Sequence, residues 1–155
     1  MFAVIRPDDW NFPLLLHVLG AALLVGGLTT AVAGSFAGWN HDRTGAYARV
    51  GFRALLFVAI PSWILMRIGA EWIYSREGFE GEDEPGWLGI GYVVADGGAL
   101  LILLATILAG VGLRRTRKSG SEAGASGLSR AAGVIALVAL IAYVIAAWAM
   151  SAKPD

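Results

Sequence analysis

The chain has 155 residues, 57% of them hydrophobic and 15% charged, with twelve basic and twelve acidic side chains and therefore no net charge. A soluble domain carries roughly 45–50% apolar and about 25% charged residues, and here the apolar excess is gathered into long runs, which is the pattern of membrane spans. The neutral balance gives no case for nucleic acid as a partner, and the absence of cysteine removes disulfides, thiolate catalysis, thiolate zinc and iron–sulfur sites, and covalent c-type haem.

In chain order, the first apolar run covers about residues 12–36, with Pro13 in the opening turn where its missing N–H costs nothing. A connection carrying His41, Asp42, Arg43 and Arg49 leads to a second run, about 52–74, in which Pro61 predicts a kink. Residues 75–86 hold five acids against the single Arg76. The third run covers about 87–113. A flexible linker is expected over 114–128, basic at its start (Arg114, Arg115, Arg117, Lys118) and rich in Ser, Gly and Ala beyond. The fourth run covers about 129–150. Each run exceeds the ~20 residues that a helix rising about 1.5 Å per residue needs to cross the hydrocarbon. The sequence thus predicts an all-α, polytopic four-helix transmembrane bundle in a single domain.

Charge orients it. The first and third connections hold eight Lys and Arg when Arg53 and Arg130 are included, against Arg6, Arg76 and Lys153 on the opposite side. By the positive-inside rule the basic connections are cytoplasmic and both termini lie outside. Trp10, Trp72, Trp87 and Trp148 then form an outer aromatic belt, and Trp39 marks the inner boundary. Ala31-Val32-Ala33 resembles a signal-peptidase site, but the preceding apolar run is long and its flank holds Asp8 and Asp9 beside Arg6, so the first helix is expected to be retained. The second and fourth runs share an inner Arg-Ala and an outer Ala-x-Trp, as two repeated hairpins would. Topology alone explains the same pattern, and that is the reading adopted.

Ionisable groups are costly in a bilayer and usually face a bundle interior and find partners. Counting about 1.5 Å per residue from the outer ends puts His17 about 8 Å deep, Arg67 and Tyr143 about 10 Å and Asp96 about 14 Å. Glu71 lies one turn from Arg67, and each helix offers one polar side chain at a similar level. The expected stripes run through Gly20, Ala21, Leu24, Gly27, Ala31 and Gly34 on the first helix. The second offers Ile60, Trp63, Ile64, Arg67, Glu71 and Tyr74. The third offers Gly89, Tyr92, Asp96 and Ala99, with Thr106 and Gly110 further down, and the fourth Ala132, Ala136, Ala139, Tyr143 and Ala147. The leading reading of this buried polar layer is structural: an ion pair of Arg67 with Asp96 or Glu71, hydrogen bonds from His17 and Tyr143, and a fixed helix register. The alternative is a ligand, cofactor or proton site opening outward.

His17 is the one intramembrane histidine. His41 sits in the opposite loop, so a bis-histidine haem is excluded. A haem held by His17 alone, or with Met66, is the cofactor reading. Three methionines leave few ligands for copper. No phosphate-binding Gly-Lys-Ser/Thr loop, Gly-x-Ser-x-Gly elbow or His-Glu-x-x-His motif is present, and Glu80 to Glu84 lacks the spacing of a calcium loop. The stretch Leu16-His17-Val18-Leu19-Gly20-Ala21-Ala22-Leu23-Leu24-Val25-Gly26-Gly27 resembles the first helix of small bacterial integral membrane proteins of uncharacterised function, distantly similar to the copper-resistance D membrane domain. That resemblance covers one helix; it implies a helical bundle in the bacterial inner (plasma) membrane and points to His17.

The sequence therefore leads to a non-enzymatic membrane subunit, accessory or interaction protein. It would contact the bilayer and self-associate or bind another membrane protein through small-residue stripes. The alternatives are a haem- or metal-binding redox or transport protein using His17, and a small proton or solute translocator.

Overall fold

The computed structural model describes residues 11–39, 44–77, 86–119 and 123–152. Trp10, His41 and the acidic stretch from Glu80 to Glu84 lie outside the described residues. Of those described, all but Gly38 and Trp39 are helical. The helices are α1 (Asn11–Ala37), α2 (Thr44–Ala54), α3 (Ile60–Glu77), α4 (Gly86–Ser119) and α5 (Ala123–Ala152). A π-helical turn, Leu55–Ala59, joins α2 and α3 into one rod, leaving four rods that are long and apolar enough to cross a membrane.

Three boundaries depart from the hydropathy reading. Helix α4 runs on to Ser119, so the basic run from Arg114 to Lys118, expected to open the flexible linker, is helical. The second rod begins at Thr44 because its first turns are amphipathic, with Arg49 and Arg53 exposed beside buried Ala48 and Gly51. The last rod begins at Ala123, inside the Ser/Gly/Ala stretch expected to be linker. Alanine is the strongest helix former, and no proline interrupts the stretch, so weak hydropathy there does not stop the helix.

The π-turn has an identifiable cause. Pro61 has no N–H for the carbonyl of Phe57, and its ring crowds that carbonyl. One wide turn just before it relieves the crowding: the N–H of Ile60 donates to the carbonyl of Leu55, five residues back.

Helix α1 is the hub. It packs on α2, the π-turn, α3 and α5, while α4 packs chiefly on α5 and meets α3 only sparsely. Neighbouring rods run antiparallel. Gly20 and Gly69 near one end and Gly34 and Gly51 near the other bring α1 against the second rod, and Gly91 brings the start of α4 to Met150 near the end of α5. The approach at the α1–α3 contact is backbone to backbone. A Cβ on Gly20 would lie 2.5 Å from the Met66 nitrogen, and one on Gly69 would lie 2.5 Å from the His17 nitrogen. Only glycine fits at either position.

The core is correspondingly small in side-chain volume. Leu24, Leu28, Leu55 and Ile102 fill it among Ala31, Ala54, Ala59, Ala105, Ala132, Ala136 and Ala139. The large apolar residues are outside, with Phe57 67%, Val93 73% and Leu100 70% exposed. In water such a surface would aggregate. It is the distribution expected of helices that pack through small residues and give their large side chains to lipid.

Candidate functional site at the seam between α3 and α4

The polar residues assemble from two directions. From α1, the ring of His17 reaches the backbone of α3, where Nδ1 bonds the Met66 carbonyl at 3.1 Å. A carbonyl can only accept, so Nδ1 carries the proton, and in the neutral ring Nε2 keeps its lone pair. His17 thus fastens α1 to α3 at the level where Gly20 and Gly69 bring the helices together. Met66, the other candidate haem ligand, meets His17 through its carbonyl, and its side chain belongs to the core.

From α3 and α5, two side chains converge on one turn of α4. The Trp63 indole donates from Nε1 to the Ala95 carbonyl at 2.9 Å, and the Tyr143 hydroxyl donates to the same oxygen at 3.2 Å. Ala95 already lies within the helix, so its carbonyl becomes a shared acceptor tying α3 and α5 to α4. Tyr143 reaches it because Gly98 has no side chain. A Cβ there would lie 2.5 Å from the phenol oxygen.

Beside this junction lies the charge cluster. Arg67 Nη1 is 3.0 Å from Glu71 Oε1, one turn along the same helix, and Nη2 is 3.5 Å from Asp96 Oδ1 across the seam. The guanidinium carbon stands 4.5 Å from the centroid of the Tyr92 ring, and Tyr92 meets Tyr74 edge-on at 5.8 Å. Aromatic faces and two carboxylates therefore surround one cation. The sequence left Arg67 a choice of two acids. The structure brings it to both, with the intrahelical contact the shorter.

The cluster sits on the flank of the bundle. The Arg67 side chain is 24% exposed, but those of Glu71 and Asp96 are 52% and 65% exposed. The reason lies in the register of α4. Its buried line is Gly91, Ala95, Gly98, Ile102, Ala105 and Ala109, whereas the expected line lies at the edge through Gly89, Tyr92, Asp96 and Ala99 and is buried only further down, at Thr106. On α3 likewise, Ser62, Met66 and Gly69 are buried, while Trp63 and Arg67 flank them and Ile64 and Glu71 are exposed. On α5 the stripe holds through Ala132, Ala136, Ala139 and Tyr143 and then continues through Ala146 in place of Ala147.

Of the five residues singled out from sequence, Arg67, Glu71 and Asp96 form one cluster, Tyr143 joins it through the Ala95 turn, and His17 bonds separately to Met66. Trp63 and Tyr92 complete the arrangement. Both lay on the expected stripes, but nothing in their spacing reveals an indole that reaches a carbonyl on another helix. Among the described residues, no three His, Asp or Glu side chains gather as a metal-ligand set.

These features define a class: a small four-helix protein with membrane-type packing and an ion-pair cluster open along one helix–helix seam. Comparison with protein-family models, with curated proteins and with solved structures returned no match for this chain.

Proposed function

We propose that the protein is a multi-pass inner-membrane subunit, with both termini outside, that acts by receiving a transmembrane helix of a partner at the α3–α4 seam. The exposure of Asp96 and Glu71 at a depth where lipid would otherwise meet them carries this reading. An ionisable group facing hydrocarbon is expensive, and a covering helix removes that cost. One guanidinium against two carboxylates leaves one negative charge, so the seam suits a partner that presents a lysine, an arginine or a strong hydrogen-bond donor. Gly97, next to Asp96 and exposed, has open space before it, which allows a second backbone to come close. The sequence-level idea of association through the whole set of small-residue stripes narrows accordingly, because Gly20, Gly27, Gly34, Gly69 and Gly98 already face neighbours within the bundle.

The test is a photo-crosslinking residue placed in membranes at Val93, exposed on α4 one turn from Asp96, and at Val138, exposed on α5. A protein adduct should form from Val93 and weaken in Asp96→Asn, with none from Val138. A product of twice the protein mass would make the partner a second copy. Adducts with lipid alone at Val93 would refute the proposal.

A second reading rests on His17. Metal-bound histidines generally donate their other ring N–H to a carbonyl or carboxylate, and His17 holds that orientation toward Met66. A haem or metal would take Nε2. A Soret band in protein purified from cells, lost in His17→Ala, would support this reading, and a colourless, metal-free preparation would remove it.

A further inference from the structure

The basic end of the same side of the bundle has a groove that the partner reading does not use. Its walls are Phe52 on α2, Leu56 and Phe57 in the π-turn and Leu113 on α4, and its rim carries Arg49, Arg53 and Arg114. The cavity measures about 330 Å³, and a second recess lined by Val111, Arg114, Arg115 and Lys118 lies beside it on α4. No acidic residue lines either part.

Three features go beyond a loop that merely carries positive charge. Arg49 and Arg53 are one turn apart on α2, and Arg114 and Lys118 are one turn apart on α4, so each helix holds two like charges on one face. Such pairs repel unless an anion joins them, and among the described residues neither Arg49, Arg53 nor Arg114 pairs with a carboxylate. The two helices belong to the second and third rods, and their cations meet at one opening. Below the cations the groove is wholly apolar and aromatic, and Phe57 is 67% exposed. The π-turn broadens the second rod at this level, and the Phe52 ring lies over Gly110, where a Cβ would stand 3.1 Å from it.

A cationic rim above an apolar channel, open on the face that lipid would occupy, matches one ligand chemistry. We propose that this groove is a binding site for an anionic glycerophospholipid, its phosphate held by Arg49, Arg53 and Arg114 and one acyl chain lying along Phe52, Phe57 and Leu113. Basic recesses between helices at the positive side of a membrane commonly hold such headgroups. The inference shares with the proposed function only the premise that the four helices cross a bilayer.

Native mass spectrometry of the delipidated full chain in detergent provides the test, with phosphatidylglycerol and phosphatidylcholine of identical acyl chains as probes. Phosphatidylglycerol should be retained at concentrations at least tenfold below those needed for phosphatidylcholine. Each basic side chain near a membrane surface contributes about fivefold to anionic-lipid binding, so Arg53→Gln with Arg114→Gln should weaken retention about thirtyfold. A control with the same charge loss elsewhere, Arg76→Gln with Arg130→Gln, should keep wild-type retention. Equal retention of the two lipids by the wild type would overturn the site even if the double variant does not fold. Equal weakening by the control would reduce the effect to net charge and also overturn it. Displacement of phosphatidylglycerol by equimolar inorganic phosphate would make the ligand a free anion and exclude the acyl-chain part of the site. None of these outcomes depends on whether Val93 crosslinks to a protein.

Discussion

Replacing Arg67 by Leu should destabilise the protein more than replacing Asp96 by Leu, and the two changes together should cost less than their sum. The asymmetry follows from geometry. Arg67 is the single cation between two carboxylates, at 3.0 Å from Glu71 and 3.5 Å from Asp96. Its loss strands both acids, whereas loss of Asp96 leaves the guanidinium on Glu71 and against the Tyr92 ring. At an effective dielectric of about 20, opposite charges 3.5 Å apart attract by roughly 5 kcal/mol, and desolvation cancels most of it. Removing one member of a desolvated pair costs about 3–5 kcal/mol, while water-exposed pairs are worth about 0–1 kcal/mol. With Glu71 and Asp96 half or more exposed from protein, the environment at the seam decides between these limits. In a bilayer, where lipid covers that side, Arg67→Leu should cost about 3 kcal/mol, Asp96→Leu about 1 kcal/mol, and the coupling between them should be about 1–2 kcal/mol. Reversible unfolding in bicelles titrated with an anionic detergent would measure the cycle. Full additivity would mean that the cross-seam pair contributes nothing. A cost for Arg67→Leu below about 1 kcal/mol would mean that water fills the seam, and the argument for a covering helix would go with it.

Three further outcomes follow from the packing. Gly20→Val or Gly69→Val should abolish folded protein, because the new side chain meets main-chain atoms that cannot move aside, while Gly26→Ala, with nothing within 4 Å, should be neutral or stabilise by up to about 1 kcal/mol; size-exclusion profiles and thermal melts in detergent distinguish them. Tyr143→Phe should cost about 1 kcal/mol, since the hydroxyl is lost while the Ala95 carbonyl keeps its bond from Trp63, and unfolding in the same bicelles reads it. Because α1 supplies Leu24 and Leu28 to the core and contacts the second and fourth rods, the mature protein should retain it, so N-terminal sequencing should find a start upstream of Asn11 and none at Gly34.

The helices themselves were legible because hydropathy and length suffice for long apolar runs. The interior face was legible only where small residues fall on one side. On α1 the expected line is buried at Gly20, Leu24, Gly27, Ala31 and Gly34 and half-buried at Ala21. On α4 glycines occur on two faces: Gly91 and Gly98 meet α5, while Gly89 and Gly97 face open space. Spacing cannot choose between them, and the polar Asp96 drew the expected line to the wrong edge. The charge cluster was legible as a set of residue types. Its position on a flank was not, since that depends on which helices decline to pack.

That refusal has a chemical cause in the distribution of glycine and bulk. Each closely packed junction has a glycine facing its neighbour: Gly20 and Gly69 between α1 and α3, Gly34 and Gly51 between α1 and α2, Gly98 between α4 and α5, Gly133 between α5 and α1, and Gly110 between α4 and α2. On α3 Gly69 faces α1, and on α4 Gly91 and Gly98 face α5 while Gly86, Gly89 and Gly97 meet open space, so none of these closes α3 on α4. Their junction is built instead from Trp63, Arg67, Tyr74, Tyr92 and Asp96, side chains that reach across a gap without closing it. The π-turn below Pro61 widens the second rod where the basic groove lies on the α4 side. The seam between α3 and α4 thus stays open on one flank of the bundle, acidic and aromatic toward the tryptophans, with the cationic groove beyond it toward the other end. Filling it with ordinary core residues, for instance Arg67→Leu with Tyr92→Ala and Asp96→Gly, would test whether openness is only a packing consequence. A more stable protein that still crosslinks to its partner from Val93 would show that the charges are dispensable for docking. A more stable protein that no longer crosslinks would show that the seam is kept open at the expense of stability because something binds there.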